Sequence, residues 1–278
     1  MWLLLLIACD SPGISPEAPR VASVPPCPAG MIDLGPGSAP MGSAETSHGP
    51  AEIPLLDIQV ERFCIDPFPF PGQAGDHYPV DGLAFRQLPA WDRLLQAYGR
   101  RLCTPEELLW ASAAGPANLP YATGSQRSML CEPQDDWERM APLGSWPACV
   151  SPWGLYDFNV MSSWATASGP IDLAREESHP KPYAVVGGTS REDTYYAPTN
   201  YGIHSHGLED FPYYDDQLRV CADPGVHADP AAWQIFRQAA ANQGSFGAAL
   251  AWHRAYGPGA SVHDAWAAPP MADPEPWW

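Results

Sequence analysis

The chain has 278 residues, with 14 basic against 32 acidic side chains and a formal charge of −18. That surplus repels phosphate backbones and anionic headgroups, which argues against a nucleic-acid partner. Twelve Trp and 11 Tyr within 45% hydrophobic content can fill a sizeable core, while 34 Pro and 24 Gly break long elements, so the composition implies a loop-rich α+β fold.

The first nine residues, MWLLLLIAC, carry an apolar run too short to span a bilayer. They sit at the lower limit of a secretory apolar segment. Leu6-Ile7-Ala8-Cys9 resembles a bacterial lipobox, which implies acylation of Cys9 and anchoring in the cell envelope. Residues 10–26 hold five prolines and little to bury, and read as an extended tether.

Residues 56–63 are a β-prone piece between turn formers. The stretch AWDRLLQAYG, 90–99, predicts a short helix with Trp91, Leu94, Leu95 and Tyr98 on one face and Gly99 as its stop. In RLCTPEELLWASAAG, 101–115, Thr104 and Glu107 form a capping box and Pro105 takes the first helical position. Gly115-Pro116 is the expected end of that helix. Cys103 stands just before the cap, where its side chain should pack back onto Leu108. A sulfur at a helix N-terminus can also be an activated thiolate, so position alone leaves nucleophile, metal ligand and disulfide open. Past residue 224, DPAAWQIFRQAAANQGSFGAALAWHRAYGPG predicts two helices separated at Gly244. Trp233, Phe236 and Ala240 line the first, and Leu250, Trp252 and Tyr256 the second. The end, PPMADPEPWW, reads as a flexible tail.

With Cys9 set aside, six cysteines remain, at 27, 64, 103, 131, 149 and 221. An even number in an exported chain favours disulfides. No CxxC spacing supports a structural zinc site.

Six phrases stand in a particular order: CPAGMIDLGPGSAPMGS (27–43), VERFCIDPFPFP (60–71), YPVDGLAF through WASAAG (78–115), PLGSWPACVSPWGLYDF (142–158), VVGGTSRE (185–192) and QLRVCADP (217–224). Together they resemble the formylglycine-generating enzyme, or sulfatase-modifying factor, family across residues 27–224. The resemblance implies a C-type-lectin-like α+β domain there, with 225–278 as a helical extension and tail. It also implies pairing of Cys103 with Cys221, Cys131 with Cys149, and Cys27 with Cys64.

The enzymes of that family hold copper on two cysteines between the fifth and sixth phrases. Here that interval contains no cysteine before Cys221, so the thiolate pair that Cu(I) requires is missing. The family's calcium site has a glutamate where this chain has Ser163 or Trp164, with Asn159 near the asparagine position, and calcium should be weak or lost. No cofactor is therefore expected. The implied role is that of a pseudoenzyme in the bacterial envelope, lipid-anchored and binding a protein, peptide or glycan. Tyr195, Tyr196, Tyr213 and Tyr214 are candidates to line its cleft. The alternative is a metal-dependent oxidoreductase rebuilt on His204 and His206 with Glu209 or Asp210. A His-x-His pair on a strand puts both rings on one face. The acidic runs EPQDDWER (132–139) and YYDD (213–216) read as solvated surface.

Overall fold

A computed structural model describes residues 25–41, 55–72, 75, 80, 87–119, 123–125, 142–157, 162–166, 183–186, 203–204, 216–226 and 229–258. The first half contains β1 (Ile32–Leu34), β2 (Gly37–Met41), β3 (Leu56–Val60), β4 (Phe63–Ile65), α1 (Leu88–Ala97), β5 (Arg101–Leu102) and α2 (Pro105–Ser112). The second contains β6 (Ser162–Thr166), β7 (Tyr183–Val186), β8 (Ile203–His204), β9 (Asp216–Leu218), β10 (Val220–Ala222), α3 (Pro230–Gln243) and α4 (Phe246–Tyr256). The architecture is α+β.

The central sheet has the order β1-β4-β10-β5, with every neighbour antiparallel. Because strand side chains alternate between faces, this one sheet serves two cores. Phe63, Ile65 and Cys221 enter a first core with Leu108, Leu109 and Trp110 of α2 and Ile58 and Val60 of the β2–β3 hairpin. Val220 and Leu102 enter a second core with Trp91, Leu94, Leu95 and Tyr98 of α1 and Trp233, Phe236, Phe246 and Leu250 of α3 and α4. A third sheet, β8-β7-β6-β9, mixes antiparallel pairs with a parallel β6–β9 pair.

The α2 capping box forms as expected: Glu107 N donates to Thr104 Oγ1 at 3.2 Å, and Thr104 N donates to Glu107 Oε2 at 2.9 Å. The helix ends earlier than Gly115. Ala113 is its C-cap, Ala114 turns left-handed, and 115–117 form a 3-10 turn. The Trp110 ring lies against this end of the helix, with Trp153 beside it. A Cβ on Gly37 would lie 2.4 Å from the Trp110 ring, and one on Gly115 would lie 2.9 Å from it, so both backbones approach the indole in a way a larger residue forbids.

α1 starts at Leu88, two residues before the expected point, with a proline in its first turn, and all four residues of its expected stripe are buried. The β-prone piece 56–63 is split by Glu61 and Arg62. Arg62 leaves the sheet to bind the Asp33 carboxylate and the Pro25 carbonyl. α3 is capped by the Asp229 carboxylate, which accepts from Ala231 N at 2.9 Å, and closes on left-handed Gly244. The expected stripe of α4 needs correction. Leu250 is buried and Trp252 packs partly buried against the second core, as expected, but Tyr256 is 73% exposed, and Phe246 and Ala249 are buried in addition. The first turn of α4 is folded back onto Phe70 and Trp91, while its last turn extends past the core. Among the described residues no helix is long and apolar enough to cross a membrane.

Candidate functional site

Sulfur comes first, since the oxidases named above depend on it. Cys103 and Cys221 form a disulfide that joins the residue before α2 to β10, and both are fully buried. Cys27 and Cys64 form a second. These are two of the three pairings named above. Cys149 is also disulfide-bonded, and its expected partner Cys131 lies outside the described residues. Ligand atoms of Cys103, Cys221 and Glu107 all lie within 4.8 Å of one another. That is a metal-like set in outline only. Both sulfurs are committed to each other, and Glu107 accepts from the Arg101 guanidinium at 2.7 and 2.6 Å. Arg101 also donates to Asp223 at 2.9 Å, so the carboxylate is tied into a crosslink between α2 and the turn after β10.

The second assembly is a buried group of charges where the two cores meet. Arg219, between β9 and β10, is fully buried and donates to the carbonyls of Asp66 (3.2 Å), Pro67 (3.2 Å) and Tyr156 (2.6 Å). It thereby holds loop 66–72 against loop 142–157. Asp157 sits in the left-handed region at φ 61 and accepts from Gly144 N at 3.0 Å. Burial raises its pKa, against the Gly144 hydrogen bond and the Arg219 charge. Asp66 is pushed up to about 6 by burial, against the charges of Arg237, Arg100 and Arg219. Arg237, on α3, donates to the carbonyls of Pro71 and Gly72. The arrangement can fix loops and store charge.

None of these four charged residues stood out in the sequence. One signal was available: Arg237 falls on the same face of α3 as Trp233, Phe236 and Ala240, an odd place for a solvated charge. Arg219 similarly lies between apolar Leu218 and Val220.

The residues expected to bear ligand chemistry are placed only in part. His204 lies on β8 in register with Val185, which is in register with Trp164 of β6. Ser163, with Trp164 one of two candidates for the expected calcium-glutamate position, pairs with Val186 and Gln217. Cys9, Asn159, Tyr195, Tyr196, His206, Glu209, Asp210, Tyr213 and Tyr214 lie outside the described residues, as do both acidic runs except Asp216.

The geometry therefore defines a class: a disulfide-crosslinked α+β domain built on one small antiparallel sheet with a core on each face. The particular likeness comes from solved structures. PvdO from Pseudomonas aeruginosa matches 69% of this chain and 94% of its own length, with a TM-score of 0.51 and 18% identity, which shows a shared fold. Treponema denticola variable protein 1 matches 70% of this chain and 95% of its own, with a TM-score of 0.42 and 14% identity. No protein-family model and no curated protein matches the chain.

Proposed function

We propose that this is an exported bacterial envelope protein, anchored by lipid at Cys9, whose residues 27–224 form a formylglycine-generating-enzyme-like domain of C-type-lectin type. It acts by binding a protein, peptide or glycan. The shared fold with PvdO and the order of the six phrases support the family reading. The disulfides fit a compartment outside the reducing cytoplasm.

The observation that carries the non-oxidative reading is the Cys103–Cys221 bond. Cys221 is the one cysteine in the chain beyond the fifth phrase, and it is crosslinked in the core, so no thiol pair is left for a soft redox ion. Elemental analysis and non-reduced peptide mapping of the purified protein test this. Three bridges and no stoichiometric copper or iron are expected. Bound copper or iron that disappears in a His204→Ala/His206→Ala variant, together with turnover of a substrate, would establish the oxidoreductase instead. Immobilised peptide and glycan libraries then probe the ligand class.

A further inference from the structure

The chain enters the described fold through three residues, each of them tied down. The Pro25 carbonyl accepts from Arg62 Nη1 at 2.6 Å, and the same guanidinium holds the Asp33 carboxylate through Nε at 2.8 Å. The Pro26 carbonyl accepts from Gly225 N at 3.0 Å. Cys27 is bonded to Cys64. Gly225 is left-handed at φ 81, and a Cβ on it would lie 2.6 Å from Pro25 Cβ, so the turn after β10 closes directly on the entering chain.

These ties differ in strength. The Arg62–Asp33 pair is open to water, with side-chain exposures of 22% and 46%, and pairs of that kind contribute little. The two carbonyl contacts can be exchanged for water. The disulfide cannot. Its far end, Cys64, is fully buried in β4, which pairs with β1 on one side and β10 on the other, and the flanking Phe63 and Ile65 are fully buried in the first core. β1 is three residues long and ends the central sheet, with a partner on one side only among the described residues. Tension arriving at Pro25 therefore meets two routes. Through the backbone it reaches β1, which can come away pair by pair, as edge elements open locally at low cost. Through the sulfurs it reaches β4, which moves only if two ladders and the core yield together. The covalent route is the shorter, because it skips the turn closed by Met31 N on Pro28 O, and it takes the tension first.

We infer that residues 25–27 and Cys64 form a mechanical joint: tension on the chain ahead of Pro25 is delivered to the interior strand β4 and bypasses the edge strand β1 and the β2–β3 hairpin. The mechanics belong to the fold itself. Their use, holding a tethered domain against drag, rests on the anchoring at Cys9 proposed above.

Optical-trap pulling of the full oxidised chain tests the joint, between the N-terminus and a handle on an azide-bearing residue at exposed Gln96 of α1, which keeps α3 and α4 out of the pulled segment. Cys27→Ser removes the bond and leaves the buried Cys64 side chain in place. The first yielding force should fall several-fold in that variant, through a new step that releases chain within the 37-residue span, up to roughly 120 Å at about 3.3 Å per residue. An unchanged first force, with no added step, would overturn the inference. Should the variant fail to fold, the oxidised wild-type fold decides by a second geometry: a handle at exposed Glu61, just ahead of β4, loads that strand through the backbone. Pulling from the N-terminus should then give the same main force as pulling from Glu61, and a clearly lower force from the N-terminus would sink the joint. Absence of lipid on Cys9 in envelope fractions would remove the anchoring role and leave these forces as they are, so the two failures are separable.

Discussion

At the scale of single residues, the charges that organise this protein are the ones its sequence hides. A lone arginine or aspartate reads as solvated by default, because burying a charge is expensive unless it is hydrogen-bonded or paired. Arg219 meets that condition with three carbonyls, all far from it in sequence, and no local pattern announces them. Asp66 gives a sharper consequence. Its carboxyl has a folded-state pKa of about 6, above the 3.8 of a free aspartate, chiefly because burial disfavours the charged form. Between those values the folded chain binds more protons at this site than the unfolded chain does, so this contribution to stability falls as pH rises from about 4 to 6. The whole contribution is up to about 3 kcal/mol. Chemical denaturation at several pH values should show that slope in the wild type and lose it in Asp66→Asn. His253 acts in the opposite sense. Burial and then Arg254 lower its pKa, so its share of stability is lost as pH falls below 6.5, and it must be held fixed in the comparison.

At the scale of elements, what is encoded locally was legible, and what is set by contact was not. The capping box at Thr104, the proline in the first turn of α2 and the glycine between α3 and α4 all read correctly, because each acts on backbone groups within four residues of itself. The end of α2 and the exposure of Tyr256 on α4 did not. The first lies where Gly115 and Gly37, a strand residue remote in sequence, crowd the Trp110 ring, and the second turns on how far α4 overhangs the core. Gly37 makes this testable. Its φ does not demand glycine, so Gly37→Ala isolates the steric effect: a methyl group 2.4 Å from the Trp110 ring must displace the indole. Overpacking of this kind costs about 1 to 3 kcal/mol. Guanidinium unfolding should show that loss, with the Trp110→Phe/Gly37→Ala pair recovering part of what the two single changes lose together. Equal stability of Gly37→Ala and wild type would mean that the indole has a second place to go.

For the whole molecule, the question is which long-range links make the two cores one unit. The candidate ligand residues around His204 give no answer, since most lie outside the described part of the chain. The crosslinks and the C-terminal helices do. Cys103 and Cys221 close a loop of 118 residues, which in the chain-entropy account stabilises by roughly 4 to 5 kcal/mol, and their bond serves the first core. The six-phrase resemblance ends at residue 224, and from sequence alone the helices beyond it read as an extension packed on the domain's flank. In the structure they supply Trp233, Phe236, Phe246 and Leu250 to the second core, and Phe70 has three of those aromatic rings around it at 5.8 to 6.1 Å. Removing either link should therefore differ in kind. A Cys103→Ser/Cys221→Ser protein keeps both cores filled and should unfold in one transition at lower denaturant, with its near-ultraviolet circular dichroism intact. A chain ended at residue 224 loses one wall of the second core and leaves Trp91, Leu94 and Tyr98 uncovered. It should lose near-ultraviolet signal and aggregate even with every remaining disulfide formed. If the truncated chain instead stayed monomeric with native aromatic dichroism, α3 and α4 would be an addition to a domain complete without them.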